Sequence, residues 1–299
     1  MKIIVTGGSG FLGSHVADEL SNRGHKVTIF DKKQSKWIRP DQKMYKGDIL
    51  NRADLDRVMK GADVVFHFAA LADMDEAVKK PIETSNINIF GTVLTLEACR
   101  RHRIKRFIHA STIYVNSKDG GFYRCSKKAA EEYVEEFHNV FGINYTVLRF
   151  GSLYGERADD TNGVTSIIRR AITTGTLSYL GNKKSVREYI HVKDAAKATV
   201  DILKKKYKNK YIILTGKEKI KVYDFLKILS GILKIRKKIK FLNKKLLGHY
   251  VLSPFTYKFK NGKKFTMNSN IDFKSGLLEL VEVLKKKSWY YNLNKNFYF

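Results

Sequence analysis

The chain has 299 residues, of which 43% are hydrophobic and 29% are charged, and its formal net charge is +28. These proportions are typical of a folded globular protein, and no apolar run approaches the roughly 18 residues of a membrane span, which argues against an integral membrane protein. Cys99 and Cys125 are the only cysteines, which predicts reduced thiols and no metal site. The apolar run before the first glycines, Ile3 to Val5, is too short for a signal peptide, so a cytoplasmic protein is predicted.

The positive charge is concentrated in the last third of the chain. Residues 200–299 hold 25 Lys and Arg against 6 Asp and Glu. Such a surface attracts nucleic acid or anionic membranes, but no nucleic-acid-binding motif accompanies it. We interpret most of this charge as a solvated surface, so nucleic-acid binding is not expected and peripheral membrane contact remains an open alternative.

Up to about residue 150, short apolar stretches alternate with amphipathic ones, the pattern of a parallel sheet covered by helices. Strands are predicted at 2–6, 26–31, 63–70, 106–111, 145–150, 187–192 and 211–215. Helices are predicted at 11–23, 51–61, 84–103, 123–141, 164–174 and 193–205. The residues from 216 onward have a mixed pattern that does not predict defined elements.

The stretch TGGSGFLG joins the first predicted strand to the first predicted helix, as in dinucleotide-binding sites. Gly7 allows the tight turn, Gly10 lets a pyrophosphate approach the backbone, and Gly13 lets the helix and strand pack closely. The N–H groups and the dipole at the start of the helix then favour phosphate. Asp31 ends the second strand, where a carboxylate accepts hydrogen bonds from ribose hydroxyls and repels a 2′-phosphate, so NAD is predicted rather than NADP.

Tyr123 and Lys127 are four residues apart in a predicted helix and therefore lie on one face of it. A nearby ammonium group favours phenolate, which predicts that the pKa of Tyr123 is lowered toward the working range. A phenolate can accept a proton from a substrate alcohol while a hydride leaves the same carbon. Ser111 and Thr112 end the fifth predicted strand, at the carboxyl edge of the sheet where ligands bind in open α/β folds, and a hydroxyl there can hydrogen-bond the reacting oxygen.

Together with these features, several further motifs resemble the extended short-chain dehydrogenases/reductases, and among them the NAD-dependent nucleotide-sugar epimerase/dehydratase family. The motifs are GDI (47–49), HFAA (67–70), NIFGT (88–92), STI (111–113), YRCSK (123–127), LRFGSLYG (148–155) and REYIHVKDAA (187–196). The likeness covers residues 1–215 well and the tail more weakly.

The resemblance implies roles for individual residues. The implied catalytic residues are Thr112, Tyr123 and Lys127, and Lys127 also holds the nicotinamide ribose. The implied NAD site consists of Gly7, Gly10, Phe11, Leu12, Gly13, Asp31, Asp48, Ile49, Ala69, Ala70, Leu71, Asn88, Tyr123, Lys127 and Phe150. The implied substrate site consists of Ser111, Ser152, Asn162 and Arg187, with Arg187 on the nucleotide diphosphate.

Two departures from the family pattern bear on the reaction. The 4,6-dehydratases carry an Asp-Glu pair directly after the threonine, and the related decarboxylases carry a glutamate there, whereas this chain has Ile113 and Tyr114. Tyr123 follows Thr112 by only 11 positions, which is a shorter loop than in relatives. The first departure disfavours dehydration, and the second indicates that the sugar is recognised differently.

The sequence therefore predicts an NAD-dependent nucleotide-sugar 4-epimerase. A nucleotide-sugar 4-dehydrogenase or 4-ketoreductase is the alternative, because it needs the same catalytic residues. A protein of this fold that binds RNA or a membrane through its basic third is a further alternative, which the intact catalytic residues disfavour. His67, His109 and His191 lie in apolar strand patterns and are predicted to be buried structural residues, so no second acid/base for a 3,5-epimerase is identified.

The predicted architecture is α/β, with a Rossmann-type doubly wound parallel sheet and a smaller, interleaved C-terminal substrate domain. Residues 1–156 plus 187–215 are predicted to bind NAD, and residues 157–186 plus 216–299 to bind the nucleotide sugar. Relatives dimerise through a four-helix bundle, so the resemblance implies a homodimer formed by the helices at 84–103 and 123–141.

Overall fold

The computed structural model describes residues 1–236, 239–243, 262–265 and 271–296, with side chains as far as residue 286. The strands are β1 (Lys2–Thr6), β2 (Lys26–Asp31), β3 (Lys43–Lys46), β4 (Val64–His67), β5 (Arg106–Thr112), β6 (Asn144–Phe150), β7 (Ser152–Tyr154), β8 (Ser178–Tyr179), β9 (Val186–Arg187), β10 (Tyr189–His191), β11 (Lys210–Leu214), β12 (Ile220–Lys221), β13 (Lys240–Phe241) and β14 (Lys263–Lys264). The helices are α1 (Phe11–Asn22), α2 (Arg52–Met59), α3 (Met74–Lys79), α4 (Pro81–Ser85), α5 (Gly91–Arg101), α6 (Gly121–Phe141), α7 (Gly163–Thr174), α8 (Val192–Asp201), α9 (Val222–Leu233) and α10 (Phe273–Asn296).

The central sheet has eight strands in the order β14-β11-β6-β5-β4-β1-β2-β3. Every neighbouring pair in it is parallel. The chain winds outward from β1 in both directions, which confirms the predicted doubly wound fold. The loops that follow β1 and β4 therefore emerge side by side, at the point where the winding reverses and where open α/β sheets bind ligands.

Apolar side chains cover both faces of this sheet. Val16 of α1 and Ala195 of α8 belong to the core on one face, and Leu55, Leu96 and Val134 from α2, α5 and α6 belong to the core on the other. A separate core joins α7, α9 and α10. The separate core is consistent with a second unit, although the division at 157–186 plus 216–299 stays a prediction, and residues 237–238, 244–261, 266–270 and 297–299 lie outside the described ranges.

The predicted elements that differ most from the structure lie at 84–103 and 187–192. The first is not one α-helix: the segment starts with Pro81, passes through a π-helical turn at Asn86–Phe90 and continues as α5. The second is divided into β9 and β10, which pair with different strands. Strand β3 was not predicted, because its four residues are exposed or half-buried and show no apolar alternation. None of the helices in the described ranges combines the length and the hydropathy needed to cross a membrane.

Candidate active site

The glycine-rich loop forms a cradle in which side chains do not fit. Gly7 has φ +70, and a Cβ on it would lie 2.5 Å from the backbone nitrogen of Ala69. A Cβ on Gly13 would overlap the carbonyl oxygen of Gly7, and one on Gly10 would lie 3.2 Å from the same oxygen. Helix α1 starts here with no side-chain cap on its first N–H groups. These features fit a bound pyrophosphate, which would occupy the space above the glycines and accept hydrogen bonds from the uncapped helix.

Asp31 lies beside this cradle at the end of β2. Its carboxylate accepts hydrogen bonds from the backbone N–H groups of Ser9 (3.1 Å) and Lys33 (3.0 Å). An ionised carboxylate has about four acceptor positions, so two backbone bonds leave capacity for ribose hydroxyls. Asp48 is held more loosely, by the Leu50 N–H (3.0 Å) and by an ion pair with Lys32 (3.1 Å).

The loop after β4, which the sequence predicts to line the NAD site, is held in place by Asn88. The Asn88 side chain accepts from the backbone N–H of Leu71 (2.8 Å) and donates to the Leu71 carbonyl (3.0 Å). The same amide donates to the hydroxyl of Ser126 on α6 (2.9 Å). Because Asn88 is buried and occupied by these bonds, it acts on the predicted NAD site through the backbone of Leu71. The π-helical turn is the local distortion that carries it there.

The other residues of the predicted NAD site fall into two groups. Phe11 and Leu12 are half-buried in the first turn of α1, and Ala69 and Ala70 are half-buried after β4. Ile49 and Phe150 are both 6% exposed and belong to the two cores that flank the sheet. The first group borders the glycine loop, whereas the second belongs to the apolar packing of the sheet.

The structure brings the three predicted catalytic residues together. Thr112 is buried at the carboxyl end of β5, and its hydroxyl hydrogen-bonds the side chain of Tyr123 on α6. Lys127 lies one helical turn further on, only 3% exposed, and its Nζ donates to the carbonyl of Ala110 at 2.9 Å. The hydroxyl, the phenol and the amine therefore converge where β5 meets the start of α6.

The predicted lowering of the pKa of Tyr123 is wrong for the structure as it stands. Burial of the hydroxyl raises the pKa of Tyr123 to about 12, against a smaller lowering by the Thr112 hydrogen bond. Burial also lowers the pKa of Lys127 to about 8. The helical spacing of the two residues was correct, but spacing carries no information on how much water each group loses, and here desolvation is the largest cause of the shift.

His67, His109 and His191 are buried, as predicted. Burial lowers the pKa of all three, and the charge of Lys127 contributes at His67, whose pKa falls to about 3, and at His109. His67 bonds Thr6 (2.8 Å) on one side and Thr92 (3.1 Å) on the other. All three rings are neutral at physiological pH, and His67 and His109 belong to the packing around Lys127.

The predicted substrate residues are less tightly grouped. Ser111 is buried, and within the described part of the chain its hydroxyl has no hydrogen-bond partner. Arg187 is 8% exposed, donates to the Val186 carbonyl (2.8 Å) and approaches the Tyr179 hydroxyl. Ser152 is half-buried on β7. Asn162 caps α7 by accepting from two backbone N–H groups, both at 3.2 Å, so the structure gives its side chain a local role and a substrate contact stays a prediction.

Glu131 and Arg149 were missed in the sequence. They form a buried ion pair behind Lys127, with 2.7 Å between Arg149 Nη2 and Glu131 Oε2. The signal that could have indicated Glu131 is its position four residues after Lys127 on the same helix, whereas the partner on β6 follows only from the tertiary structure.

Residues 3–214 match the profile of the NAD dependent epimerase/dehydratase family. The chain belongs to this family. As an extended short-chain dehydrogenase/reductase, this protein is an NAD-dependent enzyme. The features of its site that fit NAD are the glycine cradle, the uncapped start of α1 and Asp31.

Three similar proteins illustrate the range of the family. A Methanocaldococcus jannaschii protein, provisionally named UDP-glucose 4-epimerase, is 32% identical over 239 residues, which is 72% of this chain and 77% of that protein. The UDP-N-acetyl-alpha-D-glucosaminuronate decarboxylase of Bacillus cytotoxicus is 32% identical over 243 residues, 73% of this chain and 75% of its own. Among solved structures, the UDP-glucose 4-epimerase of Thermotoga maritima with UDP-glucose superposes with a TM-score of 0.82 at 25% identity, over 96% of this chain and 100% of that one.

Proposed function

We propose that this enzyme interconverts the C4 epimers of a nucleotide sugar. The observation that carries the proposal is the convergence of Thr112, Tyr123 and Lys127 with an apolar residue directly beside them. Ile113, at the position where dehydratases carry an acid, is 2% exposed and packs with Ile213 and Tyr114. The site can therefore move a proton at one oxygen, but it lacks the acid and base at this position that would eliminate water from the sugar.

The glycine cradle and Asp31 would hold NAD, which would supply the reversible hydride chemistry at the substrate carbon. Tyr123 takes the proton of the C4 hydroxyl and later gives it back to the C4 oxygen, so one residue serves as base and acid. Thr112 hydrogen-bonds Tyr123 and orients the oxygen it serves. The charge of Lys127 favours the phenolate form of Tyr123 and opposes the burial that raises the pKa of the phenol.

The proposed substrate class rests on Arg187 and on the relatives. A buried guanidinium with its planar fork suits the oxygens of a diphosphate, and the relatives named above have UDP sugars in their names or bound in their structures. We assign residues 1–156 plus 187–215 to NAD and residues 157–186 plus 216–299 to the nucleotide sugar. The two cores on the sheet and the separate core of α7, α9 and α10 support this division.

We also propose a homodimer through the segments that include α4, α5 and α6. Large apolar side chains are exposed there, at 77% for Ile82, 51% for Phe90, 50% for Phe122 and 50% for Phe141. Large exposed apolar side chains on neighbouring helices are typical of a protein interface, and a second copy of this chain would cover them. Sedimentation at working concentration should give a dimer, and a monomer would contradict the proposal.

The reaction is tested by incubating the enzyme with NAD and a panel of nucleotide sugars. We expect proton NMR to show the C4 epimer of one of them without net accumulation of NADH. Net NADH formation in step with substrate loss would instead identify a 4-dehydrogenase. Tyr133→Phe is the matched control for Tyr123, because this tyrosine is on the same helix and is exposed, and its turnover should equal that of the wild type.

A further inference from the structure

Four ionisable residues follow one another at intervals of four on helix α6: Tyr123, Lys127, Glu131 and Glu135. Residues at this spacing lie on one face of a helix. Lys127 and Glu131 are only 3% and 4% exposed, so neither charge is solvated by water. A buried charge is retained only when other groups compensate it, and otherwise the group becomes neutral. The surroundings of Lys127 therefore decide whether it is an ammonium or an amine.

Glu131 is held rigidly by Arg149 of β6. Arg149 Nε lies 3.0 Å from one carboxylate oxygen of Glu131 and Nη2 lies 2.7 Å from the other. The guanidinium also lies over the ring of Tyr211, with its carbon 4.6 Å from the centroid. The hydroxyl of Tyr211 in turn donates to Glu135 at 2.8 Å. Two-pronged pairing and a stacked ring thus fix the carboxylate one turn behind Lys127.

The groups around Lys127 come from three elements. His67 of β4 and His109 of β5 are neutral, because burial lowers their pKa values, and Tyr123 is neutral because burial raises its pKa. Glu131 supplies the negative charge, and it raises the pKa of Lys127 against the lowering by burial. With the pKa of Lys127 at about 8, loss of that contribution moves the titration of the amine toward physiological pH.

We propose that Glu131, clamped by Arg149, is a positioning residue that keeps Lys127 charged in the active site. The proposal rests on the function proposed for Lys127, since only an ammonium favours the phenolate form of Tyr123. Stability alone does not explain why the chain has an ion pair at this position, because apolar residues of similar volume often replace such pairs without loss of stability. A role in keeping Lys127 charged does explain it.

The test removes both charges at once. Glu131→Met with Arg149→Met replaces the pair by side chains of similar length and leaves no unpaired buried charge, and circular dichroism verifies the fold. The charge of Lys127 is read directly, from the pH titration of its Cε resonance in protein with 13Cε-labelled lysine, with Lys127→Arg identifying the signal. We expect the pKa of Lys127 to fall, because the carboxylate is the member of the pair that raises it.

Glu132→Gln is the control, since Glu132 is the neighbouring residue on α6 and is exposed; it removes a carboxylate from the same helix and should leave the Lys127 titration unchanged. An unchanged titration in the double variant would overturn the proposal. If the double variant does not fold, Glu131→Gln preserves the shape of the side chain but removes only the carboxylate that pairs with Arg149; a fall in the pKa of Lys127 is again expected, and an unchanged titration again overturns the proposal.

Turnover provides a second readout. The alkaline limb of the pH–rate profile, where Lys127 loses its proton, should move to lower pH in the double variant by the same shift as the NMR titration. If the wild type turns over no nucleotide sugar, the proposed function fails, yet the titration still decides whether Glu131 sets the charge of Lys127.

Discussion

Gly13→Ala tests whether the close approach of α1 and β1 builds the NAD site. The new methyl group would meet the Gly7 carbonyl oxygen, with the Gly7 carbonyl carbon at 2.9 Å and Gly8 Cα at 3.0 Å. All three are backbone atoms, so relief requires that the start of α1 moves away from the loop. Overpacking of this kind costs about 1–3 kcal/mol. Because about 1.4 kcal/mol corresponds to a tenfold change in an equilibrium constant, we expect the Kd for NAD to rise by roughly 5- to 100-fold.

Two further glycines give a graded comparison. Gly10→Ala meets one atom, the Gly7 oxygen at 3.2 Å, and Gly231→Ala in α9 meets nothing within 4 Å. We expect Gly10→Ala to lose less NAD affinity than Gly13→Ala, and Gly231→Ala to lose none. Gly231→Ala should instead gain about 0.5–1 kcal/mol in its free energy of unfolding, because alanine is more favourable than glycine within a helix. Calorimetric titration with NAD and urea unfolding measure both quantities. A Gly13→Ala protein with wild-type affinity and stability would refute the reasoning.

Three other predictions follow from the site. Tyr123→Phe should lower turnover by roughly 10²–10⁴-fold while NAD binds as in the wild type, and near-wild-type turnover would exclude the tyrosine as the acid/base. Asn88→Ala leaves the backbone N–H and carbonyl of Leu71 without their side-chain partner, so urea unfolding should show a loss of about 1–3 kcal/mol; equal stability would mean that the loop does not depend on the amide. The pKa values of the buried His67 and His109 lie below the unfolded value of 6.5, so the unfolded chain takes up protons first as the pH falls. Their contribution is therefore complete above pH 6.5 and is lost below it at about 1.4 kcal/mol per pH unit for each histidine, and urea midpoints from pH 7 to 5 should fall less steeply in His109→Leu.

The sequence was sufficient where local pattern and tertiary structure agree. The strand–glycine–helix order of residues 2–22 and the four-residue spacing of Tyr123 and Lys127 depend on short-range geometry, and the structure has them as predicted. The π-helical turn was not predictable from periodicity, because it places Asn88 where its side chain hydrogen-bonds Leu71, which lies 17 positions earlier in the chain. The pKa shift of Tyr123 was predicted in the wrong direction, because desolvation depends on all the groups packed around the hydroxyl rather than on one neighbour.

Strand β14 has a bearing on the solubility of shortened forms of the chain. It pairs with Ile212 and Ile213 of β11, the strand that would otherwise end the sheet. An apolar strand with open N–H and carbonyl groups is a template for pairing with other molecules, and charged residues on the outermost strand discourage such pairing. Lys263 and Lys264 are both exposed on that strand. A chain cut after α9 would uncover β11 and turn the edge of the sheet into a site of aggregation, so Lys263 and Lys264 of β14 protect the central sheet from pairing through its apolar strand.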